Sequence, residues 1–394
     1  MIKLGVIFGG ESVEHEVSII TAVQAMHKMD TEKYEIIPIY ITKDREWYTG
    51  EALKDIETYQ DLELLKRYTT NVVLYCKDNR FILQSKGLFK RTVKEIDLAF
   101  PIVHGTNVED GVLQGYLRSI GIPFVGSDVY AAAVSQDKVF QKQIFASSGL
   151  PITEYVWFFD SEYLDDKDEI VKKVEKLKYP VIVKPATLGS SVGINKASNK
   201  EELQKAIEDA ITYDEKIVVE SVVENLKEVN ISVLGNYEQV NLSAIEQVMT
   251  DNDLLTFEDK YIGSSKKTGA SKGMASAARK IPADISDKLK QEVESIAKNA
   301  FRVLNSMGVV RIDFLIDSKA KKVYINEINS CPGSLSFYLW EPEGKKYSEL
   351  LDDMINIAIK NYKKKISKVH SFESNILQGF AGTKGAKGLK GLKK

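Results

Sequence analysis

The chain has 394 residues, 43% hydrophobic and 28% charged, the balance of a soluble globular protein too long for one compact domain. Its 54 basic and 56 acidic residues leave a net charge of -2, which gives no global electrostatic basis for binding nucleic acid or a membrane. Two cysteines, Cys76 and Cys331, argue against a disulfide scaffold and fit a reducing cytosol. No apolar run approaches the length of a membrane span, and Met1 to Phe8 reads as a strand and not as a signal peptide, so a cytoplasmic location is expected.

Lys3 to Phe8 is expected to be a buried parallel strand that Gly9-Gly10 turns toward a helix over about 17–29. The segment between them holds Glu14, His15 and Glu16 and lacks the spaced glycines of a dinucleotide fingerprint. Its carboxylates suit a helix N-terminus, or equally the ammonium of a small substrate. A second strand is expected over 35–41, a peripheral insertion over 44–95, and a buried strand over 97–103. That strand ends in the polar loop His104 to Gly115, where His104 beside an Asp-Gly turn is better placed to serve a site than His27 or His370. Alternating strands and helices predict a parallel sheet, whose ligands bind beyond the carboxyl ends of its strands, where both polar loops lie.

Gly121 to Ser127 reads as a crossing into a second unit. It opens on a helix from about Asp128 that includes Asp137-Lys138, followed by a helix near 171–177 and a strand from Pro180 to Pro185. The loop Gly189-Ser190-Ser191-Val192-Gly193 satisfies G-x-S-x-G, the pattern of a hydrolase nucleophile elbow. An elbow needs a later histidine, and only His370 follows; a phosphate cradle served by Lys184 is the competing reading. A helix over 200–210 and a strand over 216–220 close this unit, and the alternation from Glu228 opens a third, antiparallel one. Residues 250–280 form a long polar segment rich in lysine, of the kind that makes a lid over phosphates.

After an amphipathic helix over 285–306, residues 311–329 predict a hairpin with its turn at 318–322. Centring that turn on Ala320 sets Asp313 opposite Glu327 and Arg311 opposite Asn329, all on one face. Two carboxylates, an amide oxygen and a guanidinium together suit Mg²⁺ and substrate phosphates. The tail from Gly379 repeats glycine every third residue among lysines, and disorder is expected there.

Six stretches in order carry a family likeness: Gly9-Gly10 to Ser18, His104-Gly105 to Gly115, Asp137-Lys138, Lys184-Pro185 to Gly193, Lys260-Tyr261, and Arg311 to Gly333. The sequence resembles the D-alanine–D-alanine ligases of the ATP-grasp superfamily over residues 1 to about 340. The resemblance implies an α/β (α+β) fold in three domains. An N-terminal parallel α/β sheet domain would cover 1–126, with the insertion 44–95, and two ATP-clamping α+β domains would cover 127–224 and 225–378. The tail would be 379–394. ATP would lie between the clamping domains, with Glu220 and Val223 at the adenine, Glu228 near the ribose, Lys138 and Lys184 on phosphates, and Lys260 reaching the γ-phosphate from the lid.

By the same resemblance Asp313, Glu327 and Asn329 would carry two Mg²⁺ ions, with Mn²⁺ as a substitute. Glu14 would take the ammonium of the first D-alanine, while Arg311 and the Gly333 N–H would face the developing oxyanion. Ser190, Tyr261 and Glu228 would form a hydrogen-bonded triad, and His104, Tyr338 and Leu339 would complete the substrate contacts. The implied reaction is ADP-forming: an acyl phosphate forms on one D-alanine and the amine of a second displaces phosphate, for peptidoglycan precursors. A homodimer through the N-terminal domain is also implied. Two positions depart from the family pattern, Val108 where glycine is usual and Tyr338 where many relatives place a small hydroxyl residue. Tyr261 favours D-alanine as acceptor. The alternatives are an ATP-grasp ligase with another acceptor such as D-serine, a serine hydrolase on 189–193, and a non-catalytic nucleotide-binding module.

Overall fold

The computed structural model describes residues 1–249 and 279–371. The expected lid, apart from Arg279 and Lys280, and the glycine-lysine tail lie outside the described residues, as do Lys260 and Tyr261. Among the described residues no helix is long and apolar enough to cross a membrane.

The first unit runs β1 (Ile2–Gly9), α1 (His15–Met26), β2 (Tyr34–Ile41), β3 (Trp47–Thr49), α2 (Leu62–Tyr68), β4 (Thr70–Lys77), β5 (Arg80–Ser85), β6 (Thr92–Ile96), β7 (Leu98–Ile102) and α3 (Val112–Ile120). Its seven strands form one sheet in the order β6-β5-β4-β3-β2-β1-β7. Only β2, β1 and β7 pair in parallel. The stretch expected as a peripheral insertion extends the same sheet through four antiparallel strands, with β4, β5 and β6 joined by short links of the hairpin kind and β3 joined to β4 through α2. The N-terminal sheet is therefore mixed, and the parallel part is the part that faces the site.

Next come α4 (Val129–Gln136), α5 (Lys138–Ser147), β8 (Tyr155–Phe159), α6 (Asp160–Asp165), α7 (Lys167–Glu175), β9 (Val181–Pro185), β10 (Asn195–Ala197), α8 (Lys200–Ile211) and β11 (Lys216–Ser221). The sheet is antiparallel in the order β10-β9-β11-β8. The single helix expected through Asp137-Lys138 is broken there. Asp137 is extended (φ -98, ψ 108) and its carboxylate caps the N–H groups of Val139 and Phe140 at 2.8 and 3.0 Å. The Lys138 N–H is drawn to Ala186 O at 2.9 Å. The break puts Lys138 on the first turn of α5, beside the strand that carries Lys184.

The third unit holds β12 (Leu226–Gly235), β13 (Val240–Val248), β14 (Arg279–Lys280), α9 (Asp287–Val303), β15 (Gly308–Asp317), β16 (Lys322–Asn329) and α10 (Tyr347–Ile366), with the sheet order β14-β13-β12-β15-β16. Alternation in β15 sends Ile312, Phe314 and Ile316 into a core with Val293, Ala297, Ala300 and Phe301 of α9. Arg311 and Asp313 are left on the other face. Ser286 starts α9 by capping the Leu289 N–H at 3.4 Å.

Helix α10 buries Leu350, Leu351, Met354 and Ile355 in the same core as Leu4, Val6 and Phe8 of β1 and Ile19 and Met26 of α1. Each such side chain is worth about 1.5–3 kcal/mol when buried. The end of the chain is thereby held to its first sheet, and the loop between β16 and α10 is stretched across the carboxyl ends of β1 and β7.

Candidate active site

The hairpin has the expected pairs, Arg311 opposite Asn329 and Asp313 opposite Glu327, by a route the turn alone does not provide. Near the turn Asp317 pairs with Lys322 and Phe314 with Ile325, one residue short of the register at the site. A bulge between Asp313 and Phe314 absorbs Asn326 as the extra residue and restores that register. Asn326 is thereby free of a cross-strand partner and accepts a hydrogen bond from Lys184 Nζ at 3.2 Å.

Arg311 and Asp313 form a two-pronged ion pair, Nε to Oδ1 and Nη2 to Oδ2, both 2.7 Å. Burial would lower the guanidinium's pKa, but Asp313 and then Tyr338 and Glu246 hold it well above its ordinary value. Asn329 Nδ2 lies 3.4 Å from Asp313 Oδ2. Lys138 Nζ lies 3.6 Å from Glu327 and also donates to Leu188 O. Lys184 stands 3.1 Å from Glu220.

Glu220 is deeply buried, bonded also to Lys142 at 3.0 Å and Thr153 at 2.9 Å. Burial alone would raise its pKa; the charges of Lys142 and Lys184 override that and hold it at about 2. Glu220 is thus the counter-charge of two lysines, and Val223 follows β11 half-buried.

The oxygen donors fit a hard divalent ion. Asp313, Glu327 and the amide of Asn329 are adjacent on neighbouring strands, and their charges are met by Arg311 and Lys138, groups that an ion could displace. No cluster of three or more His, Cys, Asp or Glu that could hold a metal occurs among the described residues, so the third protein donor would have to be the Asn329 amide.

The loop after β9 meets the loop after β1. Ser190 and Ser191 are left-handed (φ 54 and 62), and Ser190 Oγ donates to the Glu14 carboxylate. A Cβ on Gly189 would come within 2.7 Å of Glu14 Oε2, so only glycine allows this approach. Of the expected triad, Tyr261 lies outside the described residues; Ser190 bonds the carboxylate of Glu14, and Glu228, on β12, acts electrostatically on Lys184. Sequence spacing could not show a partner 176 residues away.

No histidine is bonded to the serines of this loop. His15 bonds Gly10 O at 2.6 Å and the Tyr40 hydroxyl at 2.9 Å; His27 and His370 bond the carbonyls of Val23 and Lys365. His104 meets Thr21 at 3.3 Å. Burial, with Arg311 nearby, pushes His104 down to about 4, so it is a neutral residue behind the site. The elbow reading has no base.

Glu109 was not singled out by sequence and binds the N-terminal loop to the end of the hairpin. Its carboxylate accepts from Gly105 N–H, Ser330 Oγ and Cys331 N–H, each at 2.9 Å. Burial, then the charge of Glu14, pushes it up to about 7. Val108, the departure from the family pattern, is a core residue packed directly on Gly10.

Past Gly333, three successive residues are left-handed, Ser334, Leu335 and Ser336 (φ 52, 49 and 51), a conformation costing about 1–3 kcal/mol per residue. Bonds from Ser334 N–H to Thr21 Oγ1 at 3.0 Å and from Ser334 Oγ to Gln24 Oε1 at 2.9 Å hold it against α1. The turn carries the chain to Tyr338 and Leu339, both buried. Tyr338 is in turn held by Glu246 and Arg279, two residues sequence reasoning passed over because β13 and β14 show no motif.

Comparison with known proteins identifies the family and the fold. Family models described as D-ala D-ala ligase N-terminus and C-terminus match residues 3–127 and 144–356. A D-alanine–D-alanine ligase of Thermosipho melanesiensis is 39% identical over 96% of this chain and 99% of its own; one of Macrococcus caseolyticus is 41% identical over 91% and 96%. Among solved structures, the D-alanine–D-alanine ligase of Coxiella burnetii matches with a TM-score of 0.78 and 26% identity, covering 93% of this chain and 96% of that one. The D-Ala:D-Ser ligase of Enterococcus faecalis matches with a TM-score of 0.75 and 28% identity, covering 91% and 99%. With matches along nearly its whole length, the chain belongs to the D-alanine–D-alanine ligase family, of ATP-grasp fold.

Proposed function

We propose that the chain joins two D-alanines into D-alanyl-D-alanine with conversion of ATP to ADP and phosphate, in the cytoplasm, for peptidoglycan precursors. The observation that carries this reading is one unbroken series of contacts. Glu14 accepts from Ser190; Ser190 belongs to the loop that Lys138 holds through Leu188 O; Lys138 faces Glu327, which pairs with Asp313 across the hairpin. The residues read as ammonium receptor, phosphate cradle and metal donors are linked by that series, which is what supports the reading.

In this reading Glu14 holds the ammonium of the first D-alanine, and Lys138 and Lys184 hold the phosphates, Lys260 adding a charge on the γ-phosphate. A carboxylate oxygen of that D-alanine attacks the γ-phosphorus, the bond to ADP breaks, and an acyl phosphate forms. Mg²⁺ or Mn²⁺ held by Asp313, Glu327 and Asn329 would neutralise charge on the phosphates. The amine of the second D-alanine then attacks the acyl carbon, and phosphate departs with the electron pair of the C–O bond. The Gly333 N–H and the edge of Arg311 not used by Asp313 are the groups beside the developing oxyanion. Phosphoryl transfer asks for positioning and charge neutralisation, which this set of residues provides without a protein nucleophile. A homodimer through the N-terminal domain completes the proposal.

A D-serine acceptor is the second reading, favoured by Tyr338 and by the likeness to the D-Ala:D-Ser ligase. Phosphate release with Mg²⁺-ATP and single amino or hydroxy acids, with products identified by mass, tests both. D-alanyl-D-alanine as main product supports the first reading. Turnover independent of D-alanine would sink it.

A further inference from the structure

The donor pair Glu327 and Asp313 is only one end of a polar row that crosses the third sheet. Asp313 pairs with Asn230 of β12, and Asn230 with Glu246 of β13, so all four side chains share a face. Arg279 of β14 closes the row with a bond from Nη1 to Glu246 Oε2 at 3.2 Å. Glu246, 3% exposed, also accepts from Asn230 Nδ2 at 3.0 Å and from the Tyr338 hydroxyl at 3.3 Å. The Arg279 guanidinium lies over the Tyr338 ring, 4.2 Å from its centre. Tyr338 and Glu246 are both close enough to Arg311 for their charges to act on it.

We propose that Arg279 receives the carboxylate of the second amino acid, that Tyr338 limits the size of its side chain, and that Glu246 is the positioning residue that holds both. This rests on the ligase reading above, and concerns only which acceptor attacks. The acceptor must deliver a neutral amine to the carbon beside Arg311 and Gly333 while its own carboxylate stays charged. That charge needs a cation on the acceptor side of Arg311 and not engaged with the first substrate; Arg279, bonded to Glu246 and stacked on Tyr338, is the cation on that side. A guanidinium pinned by a buried carboxylate on one side and an aromatic face on the other keeps its planar fork in one orientation. The phenol of Tyr338 then fills space that a larger acceptor side chain would need, so a methyl or hydroxymethyl group is the size admitted. A cluster serving only to anchor β14 would not require that its tyrosine lie beside Arg311.

The test separates the two half-reactions in the full-length chain. Hydroxylamine traps the acyl phosphate as a hydroxamate, its nitrogen attacking the acyl carbon as phosphate leaves, and so reports activation of the first D-alanine alone. Arg279→Gln is expected to raise the acceptor KM about thirtyfold or more while hydroxamate formation changes by less than about threefold. Arg279→Lys should recover part of the loss, and Glu246→Gln should shift acceptor KM in the same direction by about tenfold. Tyr338→Ser should improve bulkier acceptors such as D-valine relative to D-alanine. Parallel loss of hydroxamate and dipeptide in the Arg279 variants, or an unchanged acceptor KM, would overturn the proposal, as would an unchanged acceptor range in Tyr338→Ser. Should the wild type prefer another acceptor, the D-alanine reading fails on its own, and the KM shift is read with that acceptor.

Discussion

Two buried glutamates in this molecule are driven in opposite directions. Glu220, on β11, is held at about 2 because Lys142 and Lys184 outweigh the cost of its burial. Glu109, in the loop after β7, is pushed up to about 7 because burial is joined by the negative charge of Glu14, which hydrogen bonds from Gly105, Ser330 and Cys331 offset only in part. Burial is common to both, so the neighbouring charges decide the sign. Glu220 is a fixed ion that orients Lys184, the lysine proposed for the phosphate cradle. Glu109 is a carboxyl near neutrality that joins two loops by hydrogen bonds.

Removing the charge of Glu220 should have the largest effect. Glu220→Gln leaves Lys142 and Lys184 facing each other without a counter-ion, and is expected to cost about 3–5 kcal/mol in urea unfolding. Adding Lys142→Met to it should restore much of that loss, since an apolar side chain of similar length removes the orphan charge. If Glu220→Gln unfolds like the wild type, the lysines are not held by it and the contrast with Glu109 collapses.

Glu327 sharpens the comparison from the half-exposed side. Its carboxylate is met by Lys138 at 3.6 Å, at the place proposed above for substrate and metal, and in that reading its charge serves chemistry more than stability. Glu327→Gln should lower turnover by about a hundredfold or more, near 3 kcal/mol, through the phosphoryl-transfer step. Unfolding free energy should change by about 1 kcal/mol or less. Near-normal turnover at saturating Mg²⁺ would refute the assignment.

How much of this was legible in the sequence depends on the distance over which each contact acts. The hairpin is local: alternation and a polar turn identify Arg311, Asp313, Glu327 and Asn329. Yet the count across the turn reaches the right pairs only because Asn326 bulges, which no residue type announces. Glu220 was visible as the end of a strand, but its partners, Lys142 on a helix and Lys184 on another strand, are set by tertiary packing. Asp137 looked helical by its surroundings, and the capping bonds that break the helix depend on Ala186 drawing Lys138 away. The row through Asn230, Glu246 and Arg279 exists only once three strands have paired. Glu109 lay inside a recognised motif, but its role comes from Ser330 and Cys331, more than 200 residues later.

For Glu109 the sign of the pH effect is the measurement. A carboxyl at about 7 in the folded chain and near its ordinary value when unfolded binds more protons in the folded state between about pH 4.5 and 7. Its contribution to stability is therefore greatest below that window and is lost as pH rises through it, with a slope of at most about 1.4 kcal/mol per pH unit. Glu109→Gln should flatten that slope, read as the difference between the two proteins' urea midpoints at each pH. The amide also sets a donor against one of the three groups now bonded to the carboxylate, so absolute stability should fall too. A slope of the opposite sign in the wild type would place Glu109 with Glu220 and not against it.

The smallest effect is expected at Ser191, a partly buried residue that carries no charge of its own. Its backbone is left-handed, a conformation that alanine tolerates no better than serine, so Ser191→Ala should alter stability by less than about 1 kcal/mol. As a wall of the phosphate cradle it should lose less than about tenfold in turnover, mainly through a higher KM for ATP. A nucleophile on a G-x-S-x-G turn would behave otherwise, since removing it costs about a thousandfold or more. Ser191→Gly divides the two readings again. Glycine relieves the left-handed strain and should gain about 0.5–1 kcal/mol while leaving the cradle's N–H groups in place. A cradle would keep its turnover under both substitutions, whereas an elbow would lose it under both. Retained dipeptide synthesis in the pair would therefore assign the loop to phosphate binding by its backbone, with Ser190 and Glu14 as its side-chain contribution.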